Sequence, residues 1–142
     1  IQTLRTSLQE TMWENAGVMR TEQRLKRGIA EVAEIEAELL DTGVEGTNLA
    51  FNLTWHDWLN MRSLCDISDA IARAALAREN SRGAHYRKDF PDQGELESSY
   101  FTVARKPSDK VEVTREDVRF TIVQPGESIL PEGEPETLVG TA

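Results

Sequence analysis

The chain has 142 residues, the length of one ordinary domain with a single apolar core. Its formal charge of −9 opposes general binding to nucleic-acid phosphates or anionic membrane surfaces, and no apolar run approaches the ~18 residues that a membrane span needs. Cys65 is the only cysteine, which excludes an intrachain disulfide and reads as a buried thiol in a reducing compartment rather than a nucleophile. The chain opens on Ile1 without a secretory pattern and reads as a piece of a longer polypeptide.

In chain order, Ile1, Leu4, Leu8 and Met12 recur three or four apart, which predicts a first helix ending near Asn15 and Gly17. A second helix is expected from Thr21 to Leu40, with Leu25, Ile29, Val32, Ile35 and Leu39 as its buried stripe and Glu31, Glu34 and Glu38 as a solvated face. Thr21 fits the N-cap, and Gly43 lies just past the far end. So short a connection predicts antiparallel packing of the two. The third helix is expected from Asn48 or Asn52 to Ser81, burying Leu59, Leu64, Ile67, Ile71, Ala74 and Ala75. Ala70, Ala72, Ala74, Ala75 and Ala77 give it a small-residue half that a neighbouring backbone can approach closely. Phe51, Trp55 and Trp58 read as core or interface. Gly83 is expected to stop the helix, with Arg78 and Arg82 complementing the negative end of its dipole.

Beyond Pro91 the period changes. Tyr100–Arg105, Val111–Arg115 and Val118–Val123 are β-rich runs, and Lys106-Pro107-Ser108-Asp109 is a turn signal, so a hairpin or three-stranded ribbon leaning on the helices is expected. From Gln124 onward the chain is rich in proline and glutamate with no Lys or Arg, which reads as a flexible acidic tail. The predicted fold is mainly α: an antiparallel, spectrin-repeat-like three-helix bundle over residues 1–90, a β-hairpin extension over 91–123 and the tail over 124–142.

Signatures of an enzyme complete in itself are missing: no Gly-rich phosphate loop, no paired-cysteine metal motif and no G-x-S-x-G. Asp66 and Asp69 stand three apart without further ligands and read as solvated carboxylates. The dense constellation is Arg73, Arg78, Arg82, His85, Arg87 and Lys88, a cationic cluster in an acidic chain. Guanidinium forks suit carboxylates and phosphates, which admits a dicarboxylate or cofactor-phosphate site. The favoured reading pairs these cations with Glu79, Asp89 and acids across a domain interface, because nothing else in the sequence builds a closed, dry pocket.

Ala77 to Pro91 reads A-R-E-N-S-R-G-A-H-Y-R-K-D-F-P. Arg78, Ser81, Arg82, Gly83, Ala84, His85, Arg87 and Asp89 resemble the Arg-x-Glu-Ser-Arg-Gly-Ala-His-x-Arg-x-Asp pattern in the C-terminal domain of succinate dehydrogenase and fumarate reductase flavoprotein subunits and of the related L-aspartate oxidases. Asn80 stands where that pattern has glutamate. The stretch Leu8 to Arg20, L-Q-E-T-M-W-E-N-A-G-V-M-R, is similar to the first helix of those domains, and continuation into a hairpin resembles the respiratory subunits more than the aspartate oxidases. The resemblance implies FAD-dependent interconversion of succinate and fumarate, with FAD bound by absent FAD-binding and capping domains. It further implies electrons passing to an iron-sulfur subunit, and a peripheral place on the inner face of a cytoplasmic or mitochondrial membrane. No catalytic, cofactor or metal residue is expected in this piece, which alone would be inactive. Arg78, Ser81, Arg82, Gly83, His85, Arg87 and Asp89 are its expected docking residues. The alternatives are an aspartate oxidase piece, a non-enzymatic helical adaptor for a basic partner, and direct dicarboxylate binding by Arg82, His85 and Arg87.

Overall fold

The computed structural model describes residues 1–48 and 50–127. Helix α1 (Gln2–Ala16) ends at Gly17 and leads through the short strand β1 (Met19–Arg20) into α2 (Glu22–Thr42). Thr21 caps α2 by accepting the Arg24 N–H, and the Gly43 N–H closes its far end on the Leu39 carbonyl. Helix α3 (Leu53–Ala77) starts at Asn52, whose Oδ1 accepts the Trp55 N–H at 3.0 Å. Strands β2 (Tyr86–Arg87), β3 (Tyr100–Arg105) and β4 (Glu112–Asp117) follow.

Cross-helix contacts fix the directions. Arg5 near the start of α1 lies 3.5 Å from Asp57 near the start of α3, so these two run the same way. Trp58, early in α3, donates its indole N–H to the Leu39 carbonyl near the end of α2 at 2.9 Å, so α2 runs against α3. The bundle core joins Leu4 and Leu8 of α1 to Val32, Ile35 and Leu39 of α2 and Met61 and Cys65 of α3. Each such large aliphatic side chain contributes roughly 1.5–3 kcal/mol on burial. A smaller cluster of Ala16, Leu25 and Ala75 continues the core toward the other end. There α1 and α2 nearly touch: a Cβ on Gly28 would sit 2.8 Å from that of Asn15. Asn15 is buried, donating to Glu31 at 2.9 Å and accepting from Arg27 at 2.8 Å.

Helix α3 departs from expectation in two ways. Its buried stripe is Met61, Cys65, Ser68, Ala72 and Ala75, while Leu64, Ile67 and Ile71 face outward, Ile67 at 56% exposure. The two stripes lie one residue apart around the helix, and the smaller side chains are the ones that admit a close approach to α1 and α2. The helix also stops at Ala77 rather than running to Ser81, so Gly83 is not its stop and Arg82 is not in its last turn. Nor do the three aromatics form a cluster in the core. Phe51 is 98% exposed, Trp55 is exposed, and Trp58 alone packs on the apolar cluster.

Strands β3 and β4 pair antiparallel from Tyr100↔Asp117 to Arg105↔Glu112, and residues 118–123 form no third strand. The hairpin rests on α3, where Lys106 pairs with Asp66 and the Arg115 guanidinium donates to the Ala77 carbonyl at 2.8 Å. That support meets the need of a lone hairpin for a partner surface. Asp66 and Asp69 are thus ion-paired rather than merely solvated, Asp69 accepting from Arg73. Of the expected tail, residues 128–142 lie outside the described residues.

Candidate docking site at the end of the third helix

A helix that ends without a following turn of its own leaves carbonyls unpaired. At the end of α3 they are met by Arg87, ten residues beyond the helix. Its Nη1 donates to the carbonyls of Ala75 (3.0 Å), Leu76 (3.0 Å) and Arg78 (3.2 Å). Its Nε and Nη2 fork onto the two oxygens of Asp89, each at 2.8 Å, and its guanidinium carbon lies 4.9 Å from the centre of the Phe90 ring. Arg87 is 1% exposed. Asp89 in turn accepts the Glu22 N–H at the start of α2 at 2.8 Å. One ion pair therefore places its cation on a helix C-terminus and its anion on a helix N-terminus, the signs both dipoles favour. The Arg87 fork is the main reason the Asp89 carboxyl is held well below the usual carboxylate range.

Backbone pairing keeps Arg87 in place. Strand β2 runs parallel to β1, with Arg20 opposite Arg87, and Lys88 N–H donates to the Arg20 carbonyl at 2.8 Å. Ser81, also buried, accepts the Arg87 N–H at 2.8 Å, and its hydroxyl donates to the Phe90 carbonyl at 2.7 Å. Between them, Arg82 and His85 exchange backbone hydrogen bonds of 2.9 and 3.0 Å around Gly83, whose φ of +55° is the conformation glycine takes without strain. This tight turn is what Gly83 serves.

The outer face of the loop carries the remaining cations. Arg82 donates to the carbonyls of Gln93 (2.6 Å) and Glu95 (2.7 Å) and to the Ser99 hydroxyl (2.7 Å). Arg78 donates to the Tyr100 carbonyl at 3.2 Å and stacks on the Tyr100 ring at 5.0 Å, which Arg115 also approaches at 4.8 Å. Arg20 Nη1 lies 2.8 Å from His85 Nδ1. A guanidinium only donates, so Nδ1 is the acceptor and His85 carries its proton on Nε2, facing the Arg78 carbonyl at 3.4 Å. Burial, and then the charges of Arg20, Arg78 and Arg87, hold His85 below its ordinary value, against the pull of that carbonyl.

Six of the seven expected residues, Arg78, Ser81, Arg82, His85, Arg87 and Asp89, thus fold into one hydrogen-bonded loop, and Gly83 makes its turn. Arg73 stands apart with Asp69, and Glu79 pairs with Arg115 rather than with the expected cluster. The residues that sequence missed are Arg20 and Tyr100. Strand β1 is two residues long, too short to show a period, and an arginine–tyrosine stack leaves no spacing signal. Asn80, in the pattern's glutamate position, is buried with its Oδ1 unpartnered among the described residues.

The hydrogen bonds of these groups go to the chain's own carbonyls, hydroxyls and carboxylate. The cationic rim borders a shallow groove of about 490 Å³, and Gly83 makes a hairpin turn instead of a phosphate loop. A groove so shallow, without a glycine-rich phosphate loop, does not fit FAD. Among the described residues no group of three potential metal ligands gathers, and no helix is long and apolar enough to cross a membrane. The buried Cys65 thiol is pushed up to about 11, first by burial and then by Glu36 and Asp66, which makes it inert as a nucleophile at neutral pH.

The chain is similar to known proteins in sequence and in fold. Residues 5–130 match the family model described as "Fumarate reductase flavoprotein C-term". The fumarate reductase flavoprotein subunit of Mycobacterium tuberculosis (strain CDC 1551 / Oshkosh) is 28% identical over 127 residues, 89% of this chain and 22% of that protein. The succinate dehydrogenase flavoprotein subunit of Rickettsia bellii is 34% identical over 101 residues, 71% of this chain and 17% of that protein. An L-aspartate oxidase of Yersinia pestis is 34% identical over 82 residues, 58% of this chain and 14% of that protein. The solved Escherichia coli quinol fumarate reductase FrdA (E245Q) shares the fold with a TM-score of 0.80 at 22% identity, over 89% of this chain and 22% of that one. The chain spans about a fifth of the length of the curated relatives it matches. With the family match running through all three helices, the Arg87 loop and the hairpin, the chain belongs to the C-terminal domain family of fumarate reductase flavoproteins.

Proposed function

We propose that this chain is the C-terminal helical domain of an FAD-dependent flavoprotein subunit of the succinate dehydrogenase/fumarate reductase type, and that it acts there as a docking domain without reacting groups of its own. The observation that carries this reading is the family match over residues 5–130, which includes the loop around Arg87. In the proposed protein FAD and the succinate–fumarate chemistry lie in the FAD-binding and capping domains, and electrons pass to an iron-sulfur subunit that holds the assembly at the membrane surface. Residues 1–90 supply the bundle, 91–123 the hairpin that supports its open side. Ser81, Gly83, Arg87 and Asp89 shape the docking loop from within, and Arg78, Arg82 and His85 present its surface.

The decisive experiment expresses the complete polypeptide and follows bound flavin, dye-linked succinate oxidation and fumarate reduction, and L-aspartate oxidation. Flavin with succinate or fumarate turnover supports the proposal, and aspartate turnover alone replaces it with the aspartate oxidase reading. In the same protein, Arg82→Ala should lower stability or flavin retention. Unchanged stability, flavin content and turnover would remove the loop from the docking role.

A further inference from the structure

The groove beside α3 gathers several cations. Eight ion pairs occur among the described residues, engaging Arg5, Lys26, Arg27, Arg73, Arg87, Arg105, Lys106 and Arg115. Arg20, Arg78 and Arg82 converge on one groove, yet among the described residues none has a carboxylate within ion-pair distance. Their hydrogen bonds go to neutral carbonyls, hydroxyls and the neutral His85 ring instead. In a chain of net charge −9 this leaves three clustered positive charges uncompensated. The floor of the groove is apolar, with Ile71 of α3 at 46% exposure and Phe101 of β3 at 58%.

We infer that this groove receives an extended acidic segment of the remaining polypeptide, one that sets a carboxylate against Arg20, Arg78 and Arg82 and an apolar side chain against Ile71 and Phe101. The inference rests on the docking role proposed above and names the chemistry of the partner surface. Charge complementarity selects the carboxylate. The apolar floor selects a peptide over a free dicarboxylate, whose few carbons would leave Ile71 and Phe101 wet. The groove is built wholly from residues within the family match, whereas residues 131–142, though acidic, lie beyond it. The occupant therefore belongs to the part of the polypeptide common to the relatives, of which this chain spans about a fifth. A desolvated carboxylate forked by guanidinium groups binds more strongly than one at a solvated rim.

The test places a photo-cross-linker in the groove of the complete polypeptide, Phe101→p-benzoylphenylalanine, a position whose exposure lets the fold accept it. After irradiation and digestion, the expected product joins position 101 to a segment of the same polypeptide outside residues 1–142 that contains Asp or Glu. Changing that acid to its amide should lower the cross-link yield by about tenfold or more. Cross-links to residues 128–142, to a second copy, to another subunit or to a segment without acids overturn the inference, as does the absence of any cross-link. Flavin absorbance of the same preparation separates the two proposals. A flavin-loaded protein lacking the acidic cross-link sinks this inference alone, whereas the acidic cross-link in protein that never binds flavin sustains it and overturns the function proposed above.

Discussion

The two ends of the bundle are held by different forces. Around Leu4, Leu8, Val32, Ile35, Leu39 and Met61 the helices meet through aliphatic side chains. Around Arg87 they meet through a buried guanidinium, a carboxylate and helix-end carbonyls. Aliphatic contact is non-directional, so the loss of one member is partly absorbed by its neighbours. The Arg87 network is directional, and its worth depends on every donor and acceptor being matched. The first end supplies cohesion, while the second fixes where α2 begins, where α3 ends and which cations face outward.

Removing Arg87 should break this comparison most sharply. Arg87→Ala leaves the α3 carbonyls without their donor, and should cost about 3–5 kcal/mol in chemical denaturation, at roughly 1–3 kcal/mol for each buried acceptor left unpaired. Leu39→Ala at the other end removes a fully buried side chain and should cost about 3 kcal/mol, independent of pH. A loss for Arg87→Ala no greater than that of an exposed substitution would erase the distinction. Gly28→Ala should cost about 1–3 kcal/mol despite alanine's better helix propensity, because its methyl meets Asn15 at 2.8 Å. A gain in stability would show that α1 can slide.

Acid should separate the ends as well. Asp89 is held below its ordinary value by Arg87, so its contribution is present above the unfolded value of ~4 and lost as pH falls through the folded one. His85, also lowered in the fold, adds an earlier and weaker decline that begins as pH drops below ~6.5, where the unfolded chain takes up the proton first. A pH titration of stability should lose the part of its acid limb below ~4 in Asp89→Asn and keep it in Leu39→Ala. The smallest effect is expected at Asn80→Ala. Its Oδ1 has no partner among the described residues, so the change should fall within about 1 kcal/mol. A larger loss would reveal a bond through a bridging water.

The aliphatic end was legible in the sequence, because Leu4, Leu8, Val32, Ile35 and Leu39 repeat at helical spacing and Thr21 and Gly43 mark the limits of α2. Helix α3 was less so. Leu64, Ile67 and Ile71 have the same spacing as Met61, Cys65, Ser68, Ala72 and Ala75, and hydropathy favours the stripe that the structure turns outward. Its end was misplaced for a related reason: no local signal stops the helix at Ala77, since the group that satisfies its carbonyls arrives with Arg87. The candidate residues were visible as a motif, but their division into buried supports and surface cations was not. That division depends on Arg20 and Tyr100, brought in from β1 and β3.

The Arg87 contact also bears on the order in which the chain acquires its structure. A helix end secured by a residue ten positions later cannot be completed as the helix emerges from synthesis. The last turn of α3 must wait until Ser81 to Asp89 have folded back and paired with β1. A chain released before Arg87 would lack the donor for the last carbonyls of α3 and the acceptor for the Glu22 N–H, while Thr21 still caps α2. The span between Ala77 and Asp89 thus completes both helix ends only once it has folded back onto β1.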